Sequence, residues 1–568
     1  MALLVLAWAA WVTWTSLRVQ AEAERARAEL QADRADLDAS AILEGDAVER
    51  LADQAQRFDR IHDRLAHPLL TPIRVLPVAG RQLSAASHQA AAAATGLRAA
   101  ADLGDQLRSI VDRGMGSGPE RVEALRDVAS TVRRGEVVFD QLDLGPGDAL
   151  LGPLASARRE IDEAMVEVHD GLDRTAQISA GLAEFFEGPS HYLLLAANNA
   201  QMQNGQGMVL SGGVLHVEEG HLDLGPMQPL DEVPEVDPPI PLDADLAARW
   251  GWLDPNHDLR HLGLSARFPV TADTAARLWS ALGHPPVDGV VVVDPVMLAT
   301  IMEVTGPVRT AGGEHRSDDV LEYILNGQYQ GYPADSGDDA YTLQRRDELD
   351  EIARTVLDAF EEVEDLEPEF LEDFHAAAAG RHLLMWSTDA TVQAAFEAAG
   401  VHGQVSPDSV LLSLVNRSGA KLDWFMRMSA GLSIERAGDG YEAVLDVAVT
   451  NRAPADGQPR YVVGPYAGSG LERGEYLGLV TLTLPARATN SRFDGVERLA
   501  VAGADGENRT IAAWVRIPRG STAHLVARFE LPASSVELLI EPSARAHPTR
   551  WTYDGRDWKD RERRTVAL

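Results

Sequence analysis

The tightest constraint on this chain is Val287-Asp-Gly-Val-Val-Val-Val-Asp294, followed directly by Pro295-Val-Met-Leu-Ala-Thr-Ile-Met-Glu-Val-Thr-Gly306. An uninterrupted β-branched run suits a strand buried on both faces. Pro295 suits the first turn of a helix, where its missing N–H would have no intrahelical partner, and Gly306 suits the end. The segment predicts a β–α unit within an α/β domain. A second apolar run, His191-Tyr-Leu-Leu-Leu-Ala-Ala197, predicts another strand, stopped by the polar pair Asn198-Asn199. Ligands of open α/β sheets bind beyond the carboxyl ends of the strands. Asn198, Asn199 and Asp294 fall at such ends and are the first candidates for a site.

At 568 residues the chain exceeds what one core can organise and should divide into three or four units. Acids outnumber bases 87 to 51, a formal charge of −36. That opposes any sequence-independent grip on nucleic acid, which depends on neutralising phosphates, and nucleic acid is excluded as a partner. A local basic pocket remains compatible with this balance. The bases are arginines except Lys421 and Lys559, and with no cysteine the chain has no disulfide, thiolate zinc site or cysteine nucleophile.

Ala2 to Leu17 is apolar, uncharged and carries three tryptophans. It reaches only the lower limit of a bilayer span, roughly 17–25 residues. A signal peptide or a buried helix are the alternatives. No basic residue precedes the run and no clear Ala-x-Ala cleavage site appears before Arg18, so residues 1–18 are expected to be a single-pass membrane anchor, with the bulk of the chain extracytoplasmic. Residues 19–187 are expected to form a helical stalk, offering a surface to protein partners. Leu30, Leu37 and Ile42-Leu43 mark a thin apolar stripe, and three prolines between His67 and Gly80 break the helix before Gln82 to Val111 resumes it.

Within the α/β domain, expected over 188–415, Gly205-Gln-Gly207 suits either an anion-binding nest or a plain tight turn. Val214–Val217 and His221–Leu224 around Glu-Glu-Gly predict a hairpin. The turn Asp254-Pro-Asn256-His257-Asp258-Leu-Arg260-His261 gathers oxygen ligands and a guanidinium. Asp254 and Asp258 are candidate ligands for a divalent cation such as Mg2+, and Arg260 a candidate phosphate contact; a solvated turn is the bland alternative. Asn256, Gln203 and Arg267 join Asn198 and Asn199 as candidate ligand contacts. Thr271 to Leu282 predicts an amphipathic helix capped by Thr271, and Arg381 to Gly400 a further helix. Arg345-Arg346 opens a helix after the acidic loop Asp335 to Asp339. Guanidinium groups there offer bidentate donors and the helix dipole to a diphosphate; two adjacent surface arginines can equally be merely solvated.

These motifs recur in order in a known family. Strand-Asn-Asn-Ala200, Gly212-Gly213 before a hairpin, the Trp252 to His261 turn, Phe268-Pro, Val287-Asp-Gly-Val, Asp294-Pro…Thr-Gly-Pro307 and Asn416-Arg-Ser-Gly-Ala-Lys421-Leu-Asp423-Trp-Phe resemble the DUF4012 family of actinobacterial and other envelope proteins. The family commonly carries Glu and Arg in Asn-x-Ala-Glu-[Leu/Met]-Arg, where this chain has Gln201 and Gln203. The Val-Asp-Gly-Val–helix–Thr-Gly-Pro-Val segment and Gln344-Arg-Arg-Asp-Glu-Leu349 also resemble LytR-CpsA-Psr enzymes. That likeness implies transfer of a glycan from a polyprenyl pyrophosphate to the cell wall with magnesium, Arg260, Arg345 and Arg346 holding phosphates and Asp258 and Asp294 the metal.

Downstream, short alternating strands from Leu432 to Leu531 predict a C-terminal β-sandwich over 416–550, with 551–568 left as a charged tail. No Gly-x-Ser-x-Gly, His-Glu-x-x-His or Walker pattern occurs. Beside a soluble intracellular regulator, which requires that residues 2–17 be no anchor, two functions stand. In one the protein serves envelope polysaccharide assembly, binding a phosphorylated or lipid-linked glycan, with a phosphotransferase step as its catalytic form. In the other it is a non-catalytic scaffold or binding module.

Overall fold

The computed structural model describes residues 46–114, 116–310, 312–330, 339–363 and 368–568. The expected anchor over 1–18, the start of the stalk and most of the Asp335 to Asp339 loop lie outside the described residues. Among the described residues no helix is long and apolar enough to cross a membrane. The chain divides into two compact units, the first ending at Ala183 and joined by Glu367–Glu369, the second comprising Glu184–Leu366 and Phe370–Leu568.

The first unit is helical. α1 (Asp46–Ala66) and α2 (Ala79–Val111) enclose a small core of Ile61, Leu65 and Ala90, and α3 (Pro119–Asp140) follows. The connection between α1 and α2 leaves Leu69, Val75, Leu76 and Val78 exposed. α4 (Gly152–Glu187) carries the chain into the second unit.

That unit is α+β. β1 (Ser190–Met202), β2 (Gly207–Glu218), β3 (His221–Leu224) and β4 (Gln228–Pro229) precede α5 (Ala244–Trp250) and α6 (Phe268–Ala281). β5 (Gly289–Val293) leads into α7 (Pro295–Thr305). β6 (Val308–Thr310) and β7 (Gly313–His315) form a small hairpin, followed by α8 (Ser317–Leu325), α9 (Asp339–Glu361), α10 (Pro368–Ala379), β8 (Leu383–Ser387) and α11 (Ala390–Ala398). The sheet runs β3-β2-β1-β5-β8, with β4 beside β2.

The β–α unit forms as its residues require. Val290 to Val293 fill β5, the Asp294 carboxylate accepts from the Val296 and Met297 amides, and Gly306 ends the helix at φ 75°. Gly289 is obligatory for packing, since a Cβ there would lie 2.3 Å from the Tyr192 ring and 2.2 Å from the Trp386 carbonyl. Leu193, Leu195, Val290, Val292 and Leu384 bury against Phe268, Leu278 and Trp279 of α6.

Several expectations need correcting. Only β1 and β5 pair in parallel; β2 and β8 join antiparallel, so the sheet is mixed. β8 occupies the start of the segment expected to be helical from Arg381, because Leu383 to Trp386 complete the apolar sheet edge-on to β5. α6 begins at Phe268 with Pro269 in its first turn, leaving Thr271 buried inside the helix. β1 continues through Asn198-Asn199 to Met202 across a register shift, and Gly207 belongs to β2, so the Gly205-Gln-Gly207 turn is a plain strand connection.

Two six-stranded sheets complete the unit, ordered β13-β16-β11-β10-β18-β19 and β14-β15-β12-β9-β17-β20. β9 is Ser409–Asn416, β10 Met426–Ala437, β11 Gly440–Asn451, β12 Tyr476–Leu484 and β13 Thr489–Phe493. β14 is Val501–Asp505, β15 Asn508–Ile517, β16 Thr522–Pro532 and β17 Glu537–Glu541. Residues 551–568, expected as a tail, supply most of β18 (Arg550–Tyr553) and all of β19 (Arg556–Lys559) and β20 (Arg564–Ala567). Trp551 and Val566 anchor them in one apolar core with Leu412, Val480, Leu445 and Phe529, drawn from both sheets.

Candidate functional site

The far half of β1 is the structural centre of the site. Past Ala197 it carries the buried polar side chains of Asn198, Asn199 and Gln201, because the strand runs on from its own sheet to the loops of the C-terminal sheets. The Asn199 amide donates to Asp294 Oδ2 and to the Ala544 carbonyl, each at 2.6 Å. His382 Nδ1 meets the same Asp294 oxygen at 2.6 Å. One carboxylate thus caps α7 with Oδ1 and ties β1 to the start of β8 with Oδ2. The Met202 amide donates to Asp423 Oδ2 at 3.0 Å, and Ser413 Oγ donates to Asn204 Oδ1 at 2.6 Å. Asp423 also accepts from Asn416 and Tyr476, and burial pushes its carboxyl upward despite those donors and nearby Arg545.

Beside this seam lies a cationic pocket. The Lys421 side chain reaches back from the loop after β9 to donate to Gln201 Oε1 at 2.8 Å. Its Nζ lies 5.4 Å from the ring centroids of both Tyr329 and Tyr461. The guanidinium of Arg345 stands over the same rings, at 5.3 Å and 5.9 Å. Arg345 donates to Gln328 Oε1 at 3.1 Å, and its Nε has no partner. Lys421 is 3% exposed and Arg345 9%. Neither has a carboxylate in contact among the described residues. Burial, then the nearby Arg345 charge, push the Lys421 ammonium down to about 7, with Asp231 opposing.

The remaining candidates are placed as follows. Arg346, one position along α9 and so about 100° round the helix, faces away from Arg345 and pairs with Asp231 at 2.5 Å and with Glu232. Arg260 grips Asp258 through its backbone amide, Nε and Nη2, the last at 2.6 Å. Burial opposes ionisation of Asp258, but the Arg260 hydrogen bonds outweigh it and hold the carboxyl below its ordinary value. Arg260 also feels the charges of Asp231 and Glu235. Arg260, Arg346 and Lys421, from three distant segments, therefore share Asp231 as a neighbouring charge.

Asn198 Oδ1 accepts from the Ala200 amide, and the Tyr329 side chain lies beside it. Gln203 is buried with its Oε1 unpartnered. Asn256 donates to the Ile240 carbonyl at 3.3 Å. Arg267 pairs with Asp505 at 2.9 Å, fixing the loop before α6 to the C-terminal sheets rather than facing a ligand. Asp254 is exposed in a left-handed turn (φ 52°).

A magnesium ion does not fit Asp254 and Asp258. Both Asp258 oxygens are engaged by Arg260, and among the described residues no group of three or more His, Asp or Glu is placed to hold a metal. Sequence reasoning missed His382, Tyr329, Tyr461 and Asp231 altogether. Lys421 carried one visible signal, being one of two lysines in an arginine-rich chain.

The second unit is thus a mixed α+β body in which one strand links an α/β layer to two further sheets beside a buried pair of cations. Residues 187–329 match the family described as a protein of unknown function (DUF4012). The matched segment holds β1, the Asp258–Arg260 turn, Asp294 and Tyr329, whereas Arg345, His382 and Lys421 lie beyond it. No curated protein and no solved structure matches the chain.

Proposed function

We propose that the protein is a membrane-anchored, extracytoplasmic component of cell-envelope polysaccharide assembly, binding a phosphorylated or lipid-linked glycan beside the far end of β1. The observation that carries this reading is that Arg346 pairs with Asp231, that Arg260 and Lys421 feel the charge of the same carboxylate, and that Arg345 stands beside Lys421. Cations converging from distant segments of a chain with net charge −36 are the arrangement a phosphate group requires. The finer architecture in this proposal is an anchor over residues 1–18, a helical stalk, a LytR-CpsA-Psr-like α/β layer and a β-sandwich of the two six-stranded sheets. The exposed Leu69, Val75, Leu76 and Val78 offer the stalk a surface for protein partners.

Binding without chemistry is the form the geometry favours over phosphotransfer. Arg260 and Arg346 already hold carboxylates, and the magnesium that such transfer uses finds no ligand set at Asp254 and Asp258. The test is to titrate the full-length protein in detergent with a polyprenyl-pyrophosphate glycan, comparing wild type with Arg260→Ala and Arg346→Ala. Binding weakened about tenfold or more by these changes supports the reading. Absence of binding by the wild-type protein overturns it, and turnover with added magnesium would restore the phosphotransferase form.

A further inference from the structure

We propose that Arg345 and Lys421 form a binding site for a compact oxyanion, a phosphate or diphosphate group, and that the anion enters together with a proton taken up on Lys421. This deepens the phosphate-binding reading above by naming the site and its coupling.

The geometry makes the demand. Two basic side chains from α9 and the loop after β9 lie over the same pair of tyrosine rings, nine-tenths or more buried. Buried charges are ordinarily paired with a carboxylate. Here the direct partners among the described residues are the neutral amides of Gln201 and Gln328, and Arg345 keeps an N–H without an acceptor among them. Among the described residues, the groups facing Lys421 are Gln201 from β1, Arg345 from α9, Tyr329 and Tyr461, with Asp231 acting at longer range. Asp423, two residues along, is turned to the Met202 amide, Asn416 and Tyr476 instead. Burial holds the Tyr329 phenol above its ordinary range, so the ring stays neutral and supplies no countercharge.

Burial first, and then the Arg345 charge, weigh against the ammonium form of Lys421. With no anion bound, Lys421 gives up its proton near neutrality. A bound oxyanion reverses the balance, because it stabilises the ammonium and accepts from both basic groups. The bound state then holds one more proton than the empty state over the pH range above about 7, and affinity must fall as pH rises there. No bond is made or broken, and the proton comes from solvent.

Sulfate is the informative probe, because it keeps its charge across pH 6 to 9 and any proton taken up belongs to the protein. Calorimetric titration of the full-length protein in two buffers of different ionisation enthalpy counts that proton. Affinity is expected to be flat near pH 6 and to fall about tenfold per unit above pH 7, with uptake near half a proton at pH 7 and approaching one at pH 8. Lys421→Arg should bind at pH 6 within a few-fold of wild type and lose the pH dependence. Lys421→Met and Arg345→Gln should each lose about tenfold or more at pH 6 while their thermal unfolding stays at or above that of wild type.

Sulfate binding that ignores pH, or that survives Lys421→Met, overturns the inference and leaves the glycan reading standing on Arg260 and Arg346. No binding of sulfate or pyrophosphate at millimolar concentration also overturns it. Proton-coupled sulfate binding without any binding of the lipid-linked glycan upholds the site and removes the proposed function.

Discussion

Arg381 and Arg345 are both buried guanidinium groups in one compact unit, and their surroundings are opposites. Arg381, 7% exposed, donates through Nε, Nη1 and Nη2 to the carbonyls of Gly205, Gly403 and Ala266 at 3.2, 3.2 and 2.8 Å. It clamps the β1–β2 turn, the loop before α6 and the segment after α11 onto one plane. Burial lowers its guanidinium to about 10, far enough above neutrality to leave it charged. Arg345 has one amide acceptor, two rings and an unused N–H. The contrast teaches that burial alone does not distinguish architecture from a site. In this pair the difference lies in the donors left unsatisfied, because each unsatisfied buried donor is a standing penalty that a ligand can remove.

The largest expected effect breaks the satisfied side. Arg381→Met takes a donor from three buried carbonyls; that of Gly403 keeps the Phe268 amide at 3.1 Å, while those of Gly205 and Ala266 lose their guanidinium partner, at about 1–3 kcal/mol each before relaxation. A net loss of about 3–5 kcal/mol is expected, measured as a fall in the thermal unfolding midpoint of the second unit, with sulfate affinity unchanged in the protein that remains folded. A loss below 1 kcal/mol would show that the clamp is not structural. A buried acid extends the same contrast. Asp560 accepts from the Thr549 amide at 2.5 Å and the Trp551 indole at 3.3 Å, yet burial raises its carboxyl to about 7. Its folded value lies above the unfolded one near 3.9, so the folded state binds the proton more tightly. Stability from this group is therefore fully present below about pH 4 and is lost as pH rises towards 7. Asp560→Asn should remove that decline, leaving the variant more stable than wild type by a few kcal/mol at pH 8 and slightly less stable at pH 4.

Much of the scaffold is legible in the residues, and the site is legible only in part. β5 and α7 follow from Val290 to Val293, Asp294, Pro295 and Gly306, because local chemistry and burial agree there. The β2–β3 hairpin likewise follows from Glu218-Glu-Gly220 between apolar runs. β8 was hidden, since Leu383 to Trp386 is a short apolar run that periodicity cannot assign to strand or helix. Arg345 was visible as a candidate, but its separation from Arg346 depends on which face of α9 meets Tyr329. His382 and Asp294 are 88 residues apart, and Lys421 and Gln201 are 220 apart. No spacing rule reaches across such distances, because tertiary pairing alone brings these groups together. Asp258 is the opposite case, since its partner is the guanidinium only two residues away.

On the unsatisfied side, Gln201→Glu is the sharpest single change. It places a carboxylate where the amide oxygen now sits, 2.8 Å from the Lys421 ammonium. The lysine is then held protonated at all working pH values, its countercharge is internal, and the pocket no longer lacks an anion. Sulfate affinity at pH 6 should drop by about tenfold or more, and its dependence on pH should vanish. A Gln201→Glu protein that binds sulfate as tightly as wild type would show that Gln201 and Lys421 do not line the anion's position.

The smallest effect is expected at Arg346, whose partners Asp231 and Glu232 are 47% and 56% exposed. Exposed pairs of this kind contribute about 0–1 kcal/mol, so Arg346→Ala should shift the unfolding midpoint by a degree or two at most. Its electrostatic consequence is more telling. Asp231 raises the proton affinity of Lys421, and Arg346 neutralises part of that charge. Without Arg346 the carboxylate acts on the lysine uncompensated, and the pH at which sulfate affinity begins to fall should move upward by a few tenths of a unit. The same uncompensated charge repels the incoming anion, so affinity at pH 6 should weaken about twofold. An upward shift with weaker binding places Asp231 between the two cations. A downward shift would mean that Arg346 acts on Lys421 by some route other than this carboxylate.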